Sequence, residues 1–314
     1  MIPLERIQEA RQRIAGAALR TPLVRLEVDA PGQIWLKLEC LQPIGSFKIR
    51  GAVNAVRSAP PQAIARGVVT ASAGNMGQGL AWAAREAGVP ATVAVPEHAP
   101  QTKLAAIERL GGRIVRVPFD VWWRAIEESR LEGMDGVFFH PVQDELVMAG
   151  NGTIGLELLE DLPEPDVVVV PFGGGGLVTG IGSAVRQLAP GARVVAVEPE
   201  TAGPLAVSLA AGSPHEIDYQ ASFVDGAGAR LVLPRMWPLV REVVDEALVV
   251  SLEETAAAVR LLAERARVVA EGAGALAVAA ALSGTVGSGR IVCIVSGGNI
   301  DASVLAQILA GETP

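Results

Sequence analysis

Lysine is scarce in this chain. Lys37, Lys48 and Lys103 stand against a large excess of arginine. Arginine serves as a solvated surface cation as well as lysine does, but it does not readily form an imine. Each remaining amine is therefore a candidate reactive group. Lys48 lies in Gly45-Ser46-Phe47-Lys48-Ile49-Arg50-Gly51, where an amphipathic helix is expected to begin. An ammonium near a helix N-terminus faces the positive end of the dipole. That lowers its pKa and favours the neutral amine that imine chemistry needs. Counting alone leaves the plainer reading open, that Lys48 is one surface lysine of three.

Three glycine-bearing turns accompany this lysine. Pro171-Phe172-Gly173-Gly174-Gly175-Gly176-Leu177 follows four valines and opens a helix. Its glycines let the backbone wrap closely round an anion, and the N–H groups at the helix start favour a phosphate. The spacing lacks the last glycine of a dinucleotide fingerprint, because Val178 and Thr179 stand there. It also lacks the Gly-Lys-Ser/Thr ending of a P-loop. The phosphate expected is a single one on a small cofactor, and a nicotinamide oxidoreductase is disfavoured. Ser72-Ala73-Gly74-Asn75-Met76-Gly77 and Ser296-Gly297-Gly298-Asn299 also follow strand-like runs. Each alone reads as a helix cap.

The elements that position these turns alternate between strand and helix. Strands are expected at Val68 to Ala71, Ala91 to Val95, Ile114 to Val117, Val137 to Phe139, Val167 to Val170, Val194 to Val197 and Ile291 to Val295. Helices are expected at Asn75 to Ala87, Gln101 to Leu110, after the strand ending at Val117 and through Glu132, Glu145 to Glu160, Leu177 to Leu188, Leu252 to Arg267 and Ala273 to Leu282. Gly203 to Arg235 reads as a loop with short helical pieces. Short all-apolar strands are typical of parallel sheets buried on both faces. The fold class is α/β, with two interleaved domains, each a mostly parallel sheet flanked by helices. Residues 1–50 and 141–314 would form the larger domain and residues 51–140 the smaller. Ligands of open parallel sheets bind outside the carboxyl ends of the strands, where the loaded turns fall.

Composition narrows the classes. Of 314 residues, half are hydrophobic, enough for a sizeable core, and the net charge is -8. An acidic chain without a basic run is not expected to bind nucleic acid or an anionic membrane. No charge-free apolar run is long enough to span a bilayer, and residues 1–20 lack the apolar stretch of a secretory signal. A cytoplasmic protein is expected. Cys40 and Cys293 make no disulfide framework, and Cys293 reads as a buried filler. His98, His140 and His215 share no ligand spacing.

Taken in order, Ser46 to Ala52, Ser72 to Asn75, Gly173 to Gly176 and Ser296 to Asn299 resemble the serine/threonine dehydratase and serine racemase group. These are pyridoxal-phosphate enzymes of the tryptophan-synthase-β fold type. The resemblance runs from about Leu4 to the C-terminus. It implies a homodimer, a small amino-acid substrate and pyridoxal 5'-phosphate bound between the domains. It further implies that Lys48 carries the cofactor covalently and serves as acid and base once substrate displaces it. Phe47 would pack on the cofactor ring and Asn75 would bond its 3-hydroxyl. Gly173, Gly174, Gly175, Gly176 and the Leu177 N–H would cradle the phosphate, and Ser296 would face the pyridine nitrogen. The backbone of Ser72, Ala73, Gly74, Asn75 and Met76 would hold the substrate carboxylate, with Ser72 near the substrate hydroxyl.

Departures from the group sharpen the reading. The racemases carry a second serine at the position of Ala73, as a base on the opposite face. An alanine moves no proton, so one-sided elimination from L-threonine and L-serine is expected. Met76 stands where many relatives have histidine, and Val142 replaces an asparagine found in the racemases after the pair His140-Pro141. Glu198 matches one carboxylate of the group's divalent cation site, while Pro204 occupies the place of the second; a hard cation wants several oxygens, and no metal is assigned. With the chain ending at Pro314, inhibition by isoleucine through a regulatory domain is not expected. The alternatives are serine racemization, 3-hydroxyaspartate dehydration, cysteine synthase-like β-replacement, and a small-molecule-binding protein on the same fold.

Overall fold

The computed structural model describes residues 1–99 and 101–314. The strands are β1 (Leu23–Leu26), β2 (Gly32–Leu38), β3 (Val68–Ala71), β4 (Ala91–Pro96), β5 (Gly112–Val117), β6 (Val137–Phe138), β7 (Val167–Pro171), β8 (Arg193–Pro199), β9 (Glu246–Val250) and β10 (Gly289–Val295). They form two sheets. The larger has the order β1-β2-β10-β7-β8-β9, and the smaller β5-β4-β3-β6. Every pairing is parallel except that of β1 with β2. The chain enters the larger sheet, leaves it for the smaller, and returns, so the larger sheet draws on both ends of the sequence.

The four valines of β7 show why these runs become central strands. All five residues of β7 are buried, as are β3 and the apolar part of β10. A strand with helices on both faces has no polar face to offer, and continuous branched residues suit that place. One apolar layer covers each face of the larger sheet. A third layer surrounds the smaller sheet and includes Met76, Leu80, Val93 and Ile107.

Two helices matter most for the site. The helix Lys48–Ser58 buries nearly its whole length and crosses the helix Glu145–Asp161 at close range. A Cβ on Gly150 would lie 2.5 Å from the Arg50 carbonyl oxygen, so the two backbones touch there. On its other side the Lys48 helix meets Asn75–Ala87, where a Cβ on Gly79 would be 3.1 Å from the Lys48 carbonyl oxygen.

The irregular stretch after Gly203 holds one full helix, Pro204–Ala211, which begins on a proline at its first position. The helix read through Glu132 stops earlier, as Phe119–Glu128, because Ser129 takes the left-handed conformation at φ 54°. The helix from Leu252 is α-helical to Leu261 and continues as a π-helix over Leu262–Ala266. Strands β1, β2 and β9 and the first helix, Leu4–Arg13, were not among the sequence expectations. Edge strands such as β1 and β9 carry mixed burial and weak alternation, which makes them hard to read from sequence.

Candidate active site

The four motifs meet at the carboxyl ends of the strands. β10 ends at Val295, and Ser296 to Asn299 turn immediately after it. Its backbone joins the lysine segment directly: Phe47 N–H donates to Ser296 O at 3.0 Å, and Gly298 N–H to Gly45 O at 2.9 Å. Ser46 forms an isolated bridge with Gly297. Gly45 makes this approach possible. Its φ is 69°, and a Cβ there would sit 2.7 Å from Asn299 Oδ1.

Lys48 opens its helix, and its Nζ donates to Pro141 O at 3.0 Å. Its amine lies 5.1 Å from the Phe47 ring centroid. Burial lowers the Lys48 pKa to about 8, against the opposing pull of the Glu271 carboxylate. The direction agrees with the sequence expectation, but the leading cause is desolvation rather than the helix dipole. A neutral amine is thus accessible near pH 8.

The turn around Pro141 ties the lysine to the glycine cradle. A Cβ on Gly174 would lie 2.6 Å from Val142 Cγ2, and one on Gly176 would lie 2.7 Å from Val142 O. The turn itself is fixed by His140. The His140 Nδ1 accepts from Val142 N–H at 3.0 Å and Gln143 N–H at 2.9 Å, so its Nε2 carries the hydrogen donated to Ile126 O at 2.9 Å. Burial lowers the His140 pKa to about 4, with the Lys48 and Arg235 charges acting in the same direction.

The Ser72 turn joins from the smaller sheet. Ser72 follows β3, and its Oγ accepts from Gly74 N–H at 3.3 Å. Asn75 reaches across to the other side. Its Nδ2 donates to Glu271 Oε1 at 2.8 Å, and its Oδ1 accepts from Asn299 Nδ2 at 2.7 Å. Its amide is therefore oriented, with one Nδ2 hydrogen still to place. A Cβ added at Gly74 would meet nothing within 4 Å, so this turn borders open space. Met76 points elsewhere: it is buried in the layer around the smaller sheet.

The residues present fit a phosphorylated aldehyde. Gly175, at φ 95°, caps the helix Gly176–Leu188, whose first N–H groups point out of the turn. Side chains on this turn would close its space against Val142 and Ala227. Two buried oxygens nearby, Thr179 Oγ1 in the first turn of that helix and Asn151 Oδ1, lack hydrogen-bond partners, although the Asn151 amide donates to Gly176 O at 3.2 Å. The Thr179 hydroxyl has a hydrogen to donate, which suits an anionic guest at this helix start, whereas the Asn151 oxygen is an acceptor and lies near Gly51 of the Lys48 helix. Lys48 presents a primary amine beside this turn region, the kind of group with which an aldehyde condenses.

Comparison with known proteins identifies the family. Residues 14–297 match the family model described as "Pyridoxal-phosphate dependent enzyme". The chain belongs to that family. It is 41% identical over 315 residues to an L-threonine ammonia-lyase of Thermotoga maritima, covering 98% of this chain and 78% of that relative. It is 34% identical over 319 residues to a catabolic L-threonine dehydratase of Staphylococcus aureus, covering 98% and 92%. Among solved structures, maize serine racemase superposes with a TM-score of 0.89 at 35% identity, covering 99% of this chain and 97% of that one. A threonine deaminase of T.th. superposes with a TM-score of 0.87 at 36% identity, covering 95% and 98%. This pyridoxal-phosphate enzyme thus has the fold of the threonine deaminases and serine racemases.

Several residues of the site escaped the sequence reading. Glu271 looks like a helix-start acid before Gly272–Leu282, yet it faces Asn75 and acts on Lys48. Gly226 and Ala227 come from the irregular stretch and approach Glu271 and Gly173. Only their spacing from a strand end could have flagged them, and the long loop between hides it. Glu198 has a different employment. Its two oxygens accept from Leu205 N–H and Ala206 N–H, each at 2.8 Å, and so cap the helix Pro204–Ala211. Burial lifts its pKa to about 7. Among the described residues no group of three His, Cys, Asp or Glu is arranged to hold a metal ion.

Proposed function

We propose that this enzyme is an L-threonine and L-serine ammonia-lyase, giving 2-oxobutanoate or pyruvate and ammonia. The observation that carries the reading is the half-buried Lys48, its amine 3.0 Å from Pro141 O, with the adjacent Val142 packed on the four-glycine turn, in a chain with alanine at position 73. The similarity to an L-threonine ammonia-lyase and a catabolic L-threonine dehydratase supports it. When bound, pyridoxal phosphate supplies an aldehyde for the substrate amine and an electron sink for its Cα.

The chain's own groups then have defined tasks. The N–H groups of Gly173 to Gly176 and Leu177 hold the phosphate. Lys48 Nζ would be the amine available to the aldehyde and the base for the α-proton of the substrate. Phe47, whose ring centroid lies 5.1 Å from that amine, would wall the cofactor site. With Glu271 and Asn299 fixing its amide, Asn75 would have one Nδ2 hydrogen left for the ring hydroxyl. Ser296 would serve the pyridine nitrogen without forcing a proton onto it, as a carboxylate would. The Ser72 to Met76 backbone holds the substrate carboxylate, and the Ser72 hydroxyl lies by the leaving hydroxyl. Ala73 provides no base on the far face, so the stereochemistry at Cα is lost by elimination and not by inversion.

The same reading places residues 51–140 in a smaller domain and residues 1–50 with 141–314 in a larger one, with the chain working as a cytoplasmic homodimer. The resemblance to maize serine racemase motivates a second reading, racemization on the same scaffold. One assay separates them: 2-oxo acid release and chiral analysis with L- and D-serine, L-threonine and 3-hydroxyaspartate. Rapid 2-oxo acid release from L-threonine with no D-serine formed from L-serine supports the lyase. D-serine formed at a rate comparable with pyruvate overturns it.

A further inference from the structure

Behind the reactive lysine lies a buried ionic cluster that none of the chemistry above uses. Arg50, two residues after Lys48 on the same helix, is 1% exposed. Its guanidinium donates from Nε and Nη2 to both oxygens of Glu39, each at 2.8 Å. It donates from Nη1 and Nη2 to both oxygens of Glu157, at 2.7 and 2.9 Å. Thr153 Oγ1 at 3.1 Å and Leu19 O at 2.9 Å receive further bonds. Lys37 Nζ, also buried, donates to Glu157 Oε2 at 2.6 Å, so two cations face two carboxylates with no net charge.

A buried ion cluster is a poor source of stability, because desolvation consumes most of the Coulombic attraction. What a planar guanidinium with two bidentate carboxylates does supply is orientation. Orientation is what the Lys48 helix needs. It is wedged between two layers, touching Gly79 of the Asn75–Ala87 helix on one side and Gly150 of the Glu145–Asp161 helix on the other. Close backbone contacts of this kind, with a glycine on one side, resist approach but allow rolling. Glu39 follows β2 of the larger sheet, and Glu157 sits on the helix Glu145–Asp161. Arg50 is therefore pinned from two directions on the large-sheet side, where Ser296 and the glycine cradle also lie.

We propose that Arg50 is a positioning residue for Lys48: its double carboxylate fork fixes the roll of the Lys48 helix, and so fixes where the Lys48 amine stands for a cofactor aldehyde to reach. The cluster acts through geometry and not through charge, since its two cations and two carboxylates cancel. This inference rests on the reading that Lys48 carries the cofactor.

The test uses the full chain stripped of cofactor. Pyridoxine 5'-phosphate, which has no aldehyde, reports the cradle alone. Pyridoxal 5'-phosphate reports imine formation by its visible absorbance. Arg50→Lys keeps the charge but loses the fork. It is expected to bind pyridoxine 5'-phosphate within about twofold of wild type, and to form the imine about tenfold more slowly, with kcat lower by a similar factor and KM little changed. Glu157→Gln, a milder change that keeps the shape, is expected to slow imine formation about threefold in the same direction. It also covers the case in which Arg50→Lys does not fold. A variant that melts at a lower temperature yet forms the imine at the wild-type rate would reduce Arg50 to a structural role and overturn the proposal, as would wild-type imine formation in a folded Glu157→Gln. Lys48→Ala serves as the control: if it still forms an imine at the site, the underlying reading fails, whatever the Arg50 result.

Discussion

Two lysines, eleven positions apart in the sequence, have opposite surroundings. Lys37 lies near the end of β2 with no exposed surface, its Nζ held by the Glu157 carboxylate and by Thr21 O, each at 2.6 Å. Lys48 begins a helix and is half-buried, its Nζ on the neutral Pro141 carbonyl at 3.0 Å. A carboxylate partner fixes an ammonium in place and leaves it unavailable as a nucleophile. A carbonyl partner holds an amine while allowing it to lose its proton, and burial brings that loss down to about pH 8. The chain keeps lysine in both places for different reasons, and the count of lysines alone could not tell them apart.

The strongest way to break this contrast is to exchange the consequences. Lys48→Ala is expected to lower activity by at least about a thousandfold while leaving the fold intact, since it removes the nucleophile and base together. Lys37→Met is expected to cost about 3 kcal/mol of stability by leaving Glu157 short of a partner, with activity per folded molecule lowered no more than about threefold. Denaturant unfolding beside steady-state 2-oxo acid release distinguishes the two. Comparable activity loss in both would erase the distinction.

The cradle offers the next test. A methyl group on residue 176 would lie 2.7 Å from Val142 O, a backbone atom that cannot easily move. Gly176→Ala is expected to weaken binding of pyridoxine 5'-phosphate about a hundredfold, measured by fluorescence titration, by shifting the turn that presents the N–H donors.

His140 provides a test by pH. Its folded pKa lies below the ordinary histidine value, so the group contributes stability above pH 6.5 that is lost as the pH falls toward 4. The loss is expected to be on the order of 3 kcal/mol over that window, because the protonated ring no longer accepts from Val142 and Gln143. In His140→Asn, whose side-chain oxygen can accept from the same turn and does not titrate, the acid slope should flatten. An unchanged slope in urea unfolding from pH 4 to 7 would remove His140 from the account.

The smallest effect concerns the far face. Ala73→Ser is expected to introduce slow exchange of the α-proton of D-serine, at about a hundredth of the elimination rate or less, followed by NMR in deuterium oxide. Complete absence of exchange would count against the far-face role given to this position.

Much of this was legible in the sequence because the chemistry is local. A strand, a tight turn and a helix start lie within ten residues at Val167 to Gly176 and at Val68 to Asn75, and a strand and its turn do so at Ile291 to Asn299; their apolar runs and glycines are visible without knowledge of the fold. What stayed hidden is non-local. Glu271 meets Asn75 across 196 positions, and Arg50 meets Glu157 across 107. Neither partner carries a mark of the other. The direction of the Lys48 pKa follows from the helix end, but the stronger cause, burial, comes only from the way two sheets close around the helix. Glu198 resembled part of a cation site, and its role as a helix cap depends on the proline-started helix that an irregular-looking stretch concealed.

The central claim is that one amine, that of Lys48, binds the cofactor. Reduction of the cofactor-loaded protein with borohydride, followed by proteolysis and mass mapping, tests it most directly. Labelling of the peptide containing Lys48, with Lys37 and Lys103 unmodified, is the expected result. A phosphopyridoxyl label found on either of those lysines, with Lys48 unlabelled, would contradict the account.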